Sequence, residues 1–174
     1  MRSVNEWLKR LESLIPDRFR LAARYKWLKI TGQLDLELLV VSEIFPKNKI
    51  FIDVGANFGI YSYHLKDQAT HVHAFEPLSD ACKYLQASRL NNLDIYNVAL
   101  SNDFNEQVLY VPIAHRKPIY ALSSFTNRPG TYIEIKVKKR RLDEYHFNNI
   151  GLIKIDVEGH EMEVLKGALR TIRN

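Results

Sequence analysis

Two blocks of acidic residues and glycines have the residue types and spacing of a nucleoside-binding site. Asp53 lies near the end of an apolar run and is followed by the loop Gly55-Ala56-Asn57-Phe58-Gly59. Glu76 follows the next apolar run, 21 residues after Gly55. Glycines let a loop backbone come close to a ligand, and an acid at the end of a second strand can accept hydrogen bonds from ribose hydroxyls. The spacing therefore predicts a site for a ligand that contains adenosine.

The loop between these acids lacks the signature of a phosphate-binding loop. A nicotinamide dinucleotide needs G-x-G-x-x-G to hold its pyrophosphate, whereas this loop reads G-A-N-F-G. The G-K-[ST] of a P-loop does not occur in the sequence. S-adenosyl-L-methionine carries no phosphate; it needs room for a methionine tail, an acid near its cationic end and an acid for its ribose. Those needs are met by Asp53, Gly55, Asn57, Gly59 and Glu76.

The pattern of apolar runs places these blocks at strand ends in an α/β sheet. Runs of strand length alternate with helical patterns, which is typical of a doubly wound parallel sheet. Strands are expected at 50–54, 71–75, 94–100 and 152–157. Ligands of such sheets bind in the crevice at the carboxyl ends of the strands, so both acids are expected to face one crevice.

A different pattern interrupts this alternation in the second half of the chain. Residues 107–113 and 131–140 alternate apolar and polar side chains, which predicts an antiparallel insertion. The basic run from Lys136 to Arg141 is expected to be the solvated face of an edge strand, where charge prevents pairing with other chains.

Helices are expected between the strands of the sheet. Their predicted ranges are 34–45, 60–66 and 79–89, and a last helix follows Gly159. Ser79 is expected to be an N-cap. Apolar residues at helical spacing in the last helix predict one buried stripe, formed by Val164, Leu165, Ala168, Leu169 and Ile172.

The N-terminal residues differ in charge from the rest of the chain. Residues 1–30 contain eight basic and three acidic residues, so they account for the whole net charge of +5. Helical spacing predicts an amphipathic helix up to Pro16 and a second helix over 18–30. We expect a helical appendage at 1–33 and one further domain at 34–174. The basic helix faces are expected to be solvated, with contact to an acidic membrane surface as the alternative.

Composition indicates a soluble protein of one domain. The chain has 174 residues, of which 46% are hydrophobic, and a single cysteine, Cys82. That length is sufficient for a buried core without disulfides, and the single cysteine favours a reducing compartment, the cytoplasm. No run approaches the ~18 consecutive apolar residues of a membrane-spanning helix.

Six blocks of the sequence resemble the FkbM family of S-adenosylmethionine-dependent methyltransferases and occur in the order of that family. They are F-I-D-V-G-A-N-F-G at 51–59, A-F-E-P at 74–77, N-V-A-L-S at 97–101, R-L-D at 141–143, L-I-K-I-D-V-E-G at 152–159 and E-V-L-K-G-A at 163–168. The resemblance implies a Rossmann-like class I methyltransferase sheet with strand order 3-2-1-4. It also implies methylation of a hydroxyl on a sugar, glycan or secondary metabolite.

The resemblance assigns roles to the residues of these blocks. Asp53, Gly55, Asn57 and Gly59 would shape the methionine pocket, and Glu76 would hold the ribose. The residues beside the adenine would be Ala99, Leu100 and Ser101. The block from Asp156 to Gly159 would face the sulfonium and the acceptor.

The candidates for catalysis are Asp156, Glu158 and His160. A hydroxyl acceptor loses its proton as its oxygen attacks, so a base must lie within hydrogen-bond reach. Asp156 is the preferred base because strand ends of this sheet face the crevice, whereas His160 is expected to cap the following helix. The carboxylates could also bind Mg²⁺, but we expect a turn without a metal.

The sequence departs from the family at its C-terminal end. It stops after the helix that follows the fourth strand, whereas a full class I sheet continues with three more strands. We therefore expect residues 34–174 to form a methyltransferase-like domain that is incomplete at its C-terminus. The edge of its fourth strand is expected to be uncovered and to favour self-association.

Other functions remain as alternatives. The first is a truncated, non-catalytic cofactor-binding remnant or an interaction domain. A nicotinamide enzyme is disfavoured by the missing glycine triad. An RNA methyltransferase would use the basic N-terminus, but residues 31–174 are balanced in charge and the N-P-P-Y type tetrad is absent; nucleic acid is not expected as a partner.

Overall fold

A parallel sheet forms the centre of the structure, a computed structural model that describes residues 14–114, 116–127 and 129–173. The helices are α1 (Asp17–Ile30), α2 (Leu36–Ile44), α3 (Ile60–Leu65), α4 (Ser79–Ala87), α5 (Glu161–Lys166) and α6 (Leu169–Arg173). The strands are β1 (Ile50–Val54), β2 (His71–Phe75), β3 (Leu93–Tyr96), β4 (Ala99–Leu100), β5 (Glu106–Ala114), β6 (Lys117–Pro118), β7 (Tyr132–Arg140) and β8 (Ile150–Ile155).

The main sheet has the spatial order β3-β2-β1-β8, with all pairs parallel. Since β8 is the fourth strand along the chain in this sheet, the order is the predicted 3-2-1-4, and the Rossmann-like fold class is confirmed. Within the described residues, β8 pairs only with β1 and is an edge strand, as predicted.

Strand β1 is buried on both faces because its side chains are almost all apolar. Phe51 and Ile52 are fully buried on opposite faces, and Val54 is 1% exposed. Val54 pairs with Phe75 of β2 and with Ile155 of β8. The three strands therefore end at one edge of the sheet, and the loops that follow them meet there.

The predicted strand 94–100 is wrong as a single element. Val98 N donates to Tyr96 O at 2.9 Å, and this tight turn separates β3 from β4. β3 completes the main sheet beside β2, while β4 pairs with β7 in the second sheet. One apolar run thus contributes a strand to each sheet, which sequence periodicity alone cannot show.

The second sheet has the order β4-β7-β5-β6 and contains the predicted antiparallel pair, β5 and β7. The predicted solvated face is correct for Lys136 and Lys138, which are exposed, and wrong for Lys139. The prediction of an edge strand is wrong, because β7 lies between β4 and β5 in the sheet. Lys139 is only 6% exposed. Its Nζ donates to Asp103 at 2.9 Å and to Gln107 at 2.8 Å, because β4 covers this end of β7.

Helix α1 packs against the main sheet rather than standing apart from it. Leu21 is fully buried in a cluster with Ala56, Ala74 and Leu85. Residues 17–30 are therefore part of the domain's packing, although 1–33 was expected to be an appendage. The amphipathic helix predicted before Pro16 falls almost entirely on residues 1–13, which lie outside the described residues.

Two expectations about helix ends and faces are wrong. Ser79 is the first residue of α4 rather than its N-cap, and its Oγ donates to Asn97 Oδ1 at 2.8 Å. The last helix is broken into α5 and α6 at Gly167. A Cβ at Gly167 would lie 2.0 Å from the carbonyl oxygen of Ser101, and the break turns Leu169 and Ile172 of the predicted buried stripe to the surface, 48% and 51% exposed.

No helix in the described part of the chain has the length and apolar content required to cross a bilayer.

Candidate functional site

A cavity of about 230 Å³ opens where β1, β2 and β8 end. Its floor and walls come from the loops after these strands, from β4, and from the segment between β6 and β7. The lining residues are Val54, Gly55, Asn57, Phe75, Glu76, Pro77, Leu78, Val98, Ala99, Leu100, Leu109, Tyr120, Ala121, Leu122, Ser123, Phe125, Asp156, Val157, Glu158 and His160. The volume is below the range of about 300–1,000 Å³ typical of small-molecule sites, so part of a larger ligand would extend beyond it.

Most of the residues predicted from the sequence meet in this cavity. Eight of the eleven line it: Gly55, Asn57, Glu76, Ala99, Leu100, Asp156, Glu158 and His160. The other three, Asp53, Gly59 and Ser101, are not among the described residues that line it. The parallel strand ends bring together residues that lie up to 105 positions apart in the chain.

Glu76 lies at the base of the cavity and is only 4% exposed. Its Oε2 accepts the N–H of Asn57 at 2.8 Å, and its Oε1 accepts the N–H of Leu78 at 2.9 Å. Burial raises the pKa of Glu76, and the two N–H donors oppose that rise. Each carboxylate oxygen has a second lone pair, so Glu76 can hold the loop in place and still accept hydroxyl hydrogen bonds from a ligand.

Asp53 does not have the position expected of it. It is fully buried, its Oδ2 accepts the Ser62 hydroxyl at 2.7 Å, and its Oδ1 lies 3.2 Å from Lys154 Nζ. The carboxylate therefore points into protein rather than into the cavity. Its predicted contact with the methionine part of a cofactor is corrected to a structural role, because the buried charge is already compensated by protein groups.

Lys154 connects the core to the cavity and was missed by the sequence analysis. Its Nζ donates to the carbonyl of Gly55 at 2.9 Å and lies 3.5 Å from Asp156 Oδ2. The ammonium thus binds the start of the glycine loop and the end of β8 while it pairs with Asp53. A signal was present in the sequence, since a lysine in the apolar run I-K-I breaks the pattern of a buried strand.

The two glycines of the loop are required by protein packing. Gly55 has φ +72°, and a Cβ there would lie 2.0 Å from the carbonyl oxygen of Asp156. Gly59 has φ +80°, and a Cβ there would lie 2.0 Å from Leu85 Cδ2. Both have left-handed conformations that favour glycine. Gly59 therefore lets α3 approach α4, and its predicted place in a ligand pocket is not supported.

His160 is the N-cap residue of α5, but within the described residues its side chain makes no capping hydrogen bond. Instead, Nε2 shares a hydrogen bond with Ser101 Oγ at 3.1 Å, and the ring lies 4.7 Å from that of Phe125. Burial, followed by the charge of Lys139, lowers the pKa of His160. The expected N-cap position is confirmed, without a capping hydrogen bond from the side chain, and Ser101 supports this imidazole rather than lining the cavity. A neutral imidazole at the cavity wall can accept a proton.

The segment between β6 and β7 supplies a wall that no motif predicted. Tyr120, Leu122 and Phe125 line the cavity across from the strand ends. The Tyr120 ring packs on that of Phe58 at 5.9 Å, and its hydroxyl donates to Asp80 at 3.2 Å. The aromatic content of 119–125 was the available signal, but only the chain's return over the sheet makes it part of the site.

The sequence of this chain is similar to those of known methyltransferases. The model of the family described as Methyltransferase FkbM domain matches residues 53–174. The chain is 23% identical over 158 residues to Methyltransferase 1 of Beauveria bassiana (strain ARSEF 2860), covering 71% of this chain and 59% of that protein. This chain therefore spans about three fifths of the length of that relative.

Two solved structures have a partial likeness. SMU.1697c of Streptococcus mutans, in complex with SAH, is 22% identical, with a TM-score of 0.35 over 37% of this chain and 39% of that chain. YcgJ of Bacillus subtilis is 11% identical, with a TM-score of 0.31 over 33% of this chain and 27% of that chain.

The Asp53–Lys154 pair can be tested by a double-mutant cycle. We expect Lys154→Met to lower the free energy of unfolding by about 3–5 kcal/mol, because it leaves Asp53 buried without a counter-ion. Asp53→Asn combined with Lys154→Met should cost less than the sum of the single changes. Urea unfolding measures all three, and Lys83→Met, at a side chain 74% exposed, is the matched control. Strict additivity would contradict the coupling.

Proposed function

The chain belongs to the FkbM methyltransferase family, and from that premise we propose that it methylates a hydroxyl oxygen of a sugar, glycan or secondary metabolite. Family membership confirms the resemblance found in the sequence, and with it S-adenosyl-L-methionine as the cofactor. The observation that carries the proposal is the position of Glu76, which lines the cavity with free lone pairs beside the glycine loop.

The chain's own residues suit the parts of that cofactor. Glu76 is proposed to accept hydrogen bonds from the ribose hydroxyls. Ala99 and Leu100 are 5% and 2% exposed and add apolar surface, which suits the adenine ring. Gly55 and Asn57 would follow the methionine part. The lack of a phosphate-binding triad fits a ligand without phosphate.

Positioning and proton removal are the tasks left to the protein. When bound, the cofactor supplies a methyl group that is already activated by a sulfonium. The cavity walls then need to align the acceptor hydroxyl with that methyl group, and alignment alone can supply a large share of the rate. A base must take the hydroxyl proton as the oxygen attacks.

Asp156 remains the proposed base. Its side chain is 66% exposed, lies at the carboxyl end of β8 and lines the cavity. Lys154, 3.5 Å away, restrains its orientation. His160 is the second candidate, because its lowered pKa leaves the imidazole neutral at pH 7 and its ring also lines the cavity. Glu158 has φ +44°, and its carbonyl accepts the Ser124 hydroxyl at 3.1 Å, so its backbone shapes the turn.

The uncovered edge of β8 supports self-association of this chain. All six residues of β8 are half-buried, and β8 has one strand neighbour among the described residues. Unpaired N–H and C=O groups at an apolar edge favour pairing with another strand. Sedimentation velocity over a concentration series should show a dimer at high concentration, and a monomer throughout would contradict this.

Peripheral contact of the basic N-terminus with an acidic membrane also stays a proposal; vesicle co-sedimentation would test it. The free, buried thiol of Cys82 supports a cytoplasmic location, which microscopy of a tagged protein would check.

Cofactor binding can be measured without knowledge of the acceptor. We expect calorimetric titration with S-adenosylhomocysteine to show binding. Glu76→Gln should weaken it by about 10- to 100-fold, because hydrogen bonds to a charged group are worth about 1.5–3 kcal/mol. Glu134→Gln, on the exposed face of β7, should leave the affinity unchanged. Equal affinity of Glu76→Gln and the parent protein, or no heat from the parent protein, would refute the proposed site.

The choice of base can be made by comparing two variants in a labelled-methyl assay over a panel of sugars and glycans. We expect Asp156→Asn to keep S-adenosylhomocysteine binding and to lose about 10²- to 10⁴-fold in methyl transfer. His160→Asn should retain most of the activity. A base works when deprotonated, so a role for His160 predicts a rate that rises with pH up to its lowered pKa, below 6.5, and is flat above it. Loss of activity in His160→Asn, together with that inflection in the pH profile of the parent protein, would give the role to His160. Transfer by neither the parent protein nor the variants would favour the non-catalytic remnant.

A further inference from the structure

Two histidines and an aspartate converge on the main sheet, away from the cavity. His71 and His73 lie on one face of β2, since alternate residues of a strand share a face. Asp94 pairs with His73 in the register of β2 and β3 and lies on that face too. His71 and His73 lie five and three residues before Glu76, so they are about 16 and 10 Å from it along the strand at roughly 3.3 Å per residue.

The donor atoms of these residues lie close together. His71 Nε2 lies 3.0 Å from Asp94 Oδ2, and His73 Nδ1 lies 3.8 Å from the same oxygen. One ligand atom from each of the three residues fits within a mutual distance of 4.8 Å. His71 Nε2 is buried and, among the described residues, has no partner aligned for a hydrogen bond. An unused nitrogen therefore faces a carboxylate oxygen.

The surroundings hold the histidines in place. The His73 side chain is 11% exposed, and its ring packs on Phe147 at 4.1 Å and on His71 at 4.8 Å. Its Nδ1 shares a hydrogen bond with the Tyr96 hydroxyl at 3.1 Å, and a metal bound at Nδ1 would replace that hydrogen bond, because an imidazole nitrogen has a single lone pair. A rigidly held imidazole beside a carboxylate is a donor set for a cation.

We infer that His71, His73 and Asp94 bind a divalent transition metal, with Zn²⁺ as the best match. Ligands about 2.0–2.1 Å from a tetrahedral Zn²⁺ are about 3.3 Å apart, and the distances of 3.0 and 3.8 Å to Asp94 bracket that value. Imidazole nitrogens favour Zn²⁺, Cu²⁺ or Ni²⁺ over Mg²⁺ and Ca²⁺. Water can take the fourth position, because the Asp94 side chain is 58% exposed.

This metal site is separate from methyl transfer, and a metal bound there would stabilise the edge of the main sheet. In the described sheet β3 is the outer strand, and it pairs with β2 over only four residues. A metal bound by residues of both β2 and β3 would stabilise the pairing of these strands. Because binding to the folded state alone stabilises it, the metal should raise the thermal midpoint.

Metal binding can be tested on the full 174-residue chain, prepared without a histidine tag and freed of metal with a chelator. Calorimetric titration with ZnCl₂ should show one site, and Co²⁺ should give the visible absorption of a tetrahedral complex. We expect His71→Asn and Asp94→Asn each to weaken Zn²⁺ binding by at least about 10-fold, since even outer-shell partners are worth about 10- to 100-fold. Zn²⁺ should raise the Tm of the parent protein but not that of either variant.

The matched control is His146→Asn. His146 is exposed and has φ +51°, a conformation that asparagine tolerates, so Zn²⁺ affinity should not change. S-adenosylhomocysteine binding should also be unchanged in all three variants, which separates this site from the cavity. Circular dichroism of the metal-free proteins checks folding. If either His71→Asn or Asp94→Asn is unfolded, the Zn²⁺ affinity of the other variant tests the site. Zn²⁺ affinity in the parent protein no higher than in Asp94→Asn would overturn the inference and leave a His–Asp ion pair only.

Discussion

A fully buried carboxylate at the end of β1 is the constraint on which the site depends. Asp53 is stable there because Ser62 donates to it and Lys154 lies beside it, and a buried charge without such partners would cost several kcal/mol. The same ammonium binds the Gly55 carbonyl and lies close to Asp156. One lysine therefore joins β8 to β1 and holds two walls of the cavity in a single geometry.

The two acids at neighbouring strand ends have different tasks because their surroundings differ. Asp53 is enclosed by protein groups on β8 and α3. Glu76 lines the cavity and uses one lone pair of each carboxylate oxygen for the backbone N–H groups of Asn57 and Leu78, which leaves the other lone pairs for a ligand. The first acid thus supports the loop, and the second is available to a ligand. A sequence motif that contains both cannot assign these tasks, since it carries no information on which groups surround each side chain.

The second sheet and its connections supply the cavity walls that the parallel sheet does not. β4 continues the polypeptide from β3 but pairs with β7, and this places Ala99 and Leu100 in the cavity wall. The segment between β6 and β7 then returns over the strand ends with Tyr120 and Phe125. The cavity therefore lies between two sheets, which explains why its walls include residues that no cofactor motif contains.

The sequence by itself determined the α/β alternation and the antiparallel insertion, because periodicity and strand ends are local properties with a fixed geometric meaning. Its resemblance to the FkbM family supplied the parallel order 3-2-1-4 and the family. Of the eleven site residues predicted from the sequence, eight line the cavity. Only the tertiary structure decided that Asp53 faces Lys154, that Gly59 serves helix packing, that His160 contacts Ser101 and that His71 and His73 meet Asp94. Each of these depends on contacts between distant segments, and a side chain's partners are set by packing rather than by its neighbours in the chain.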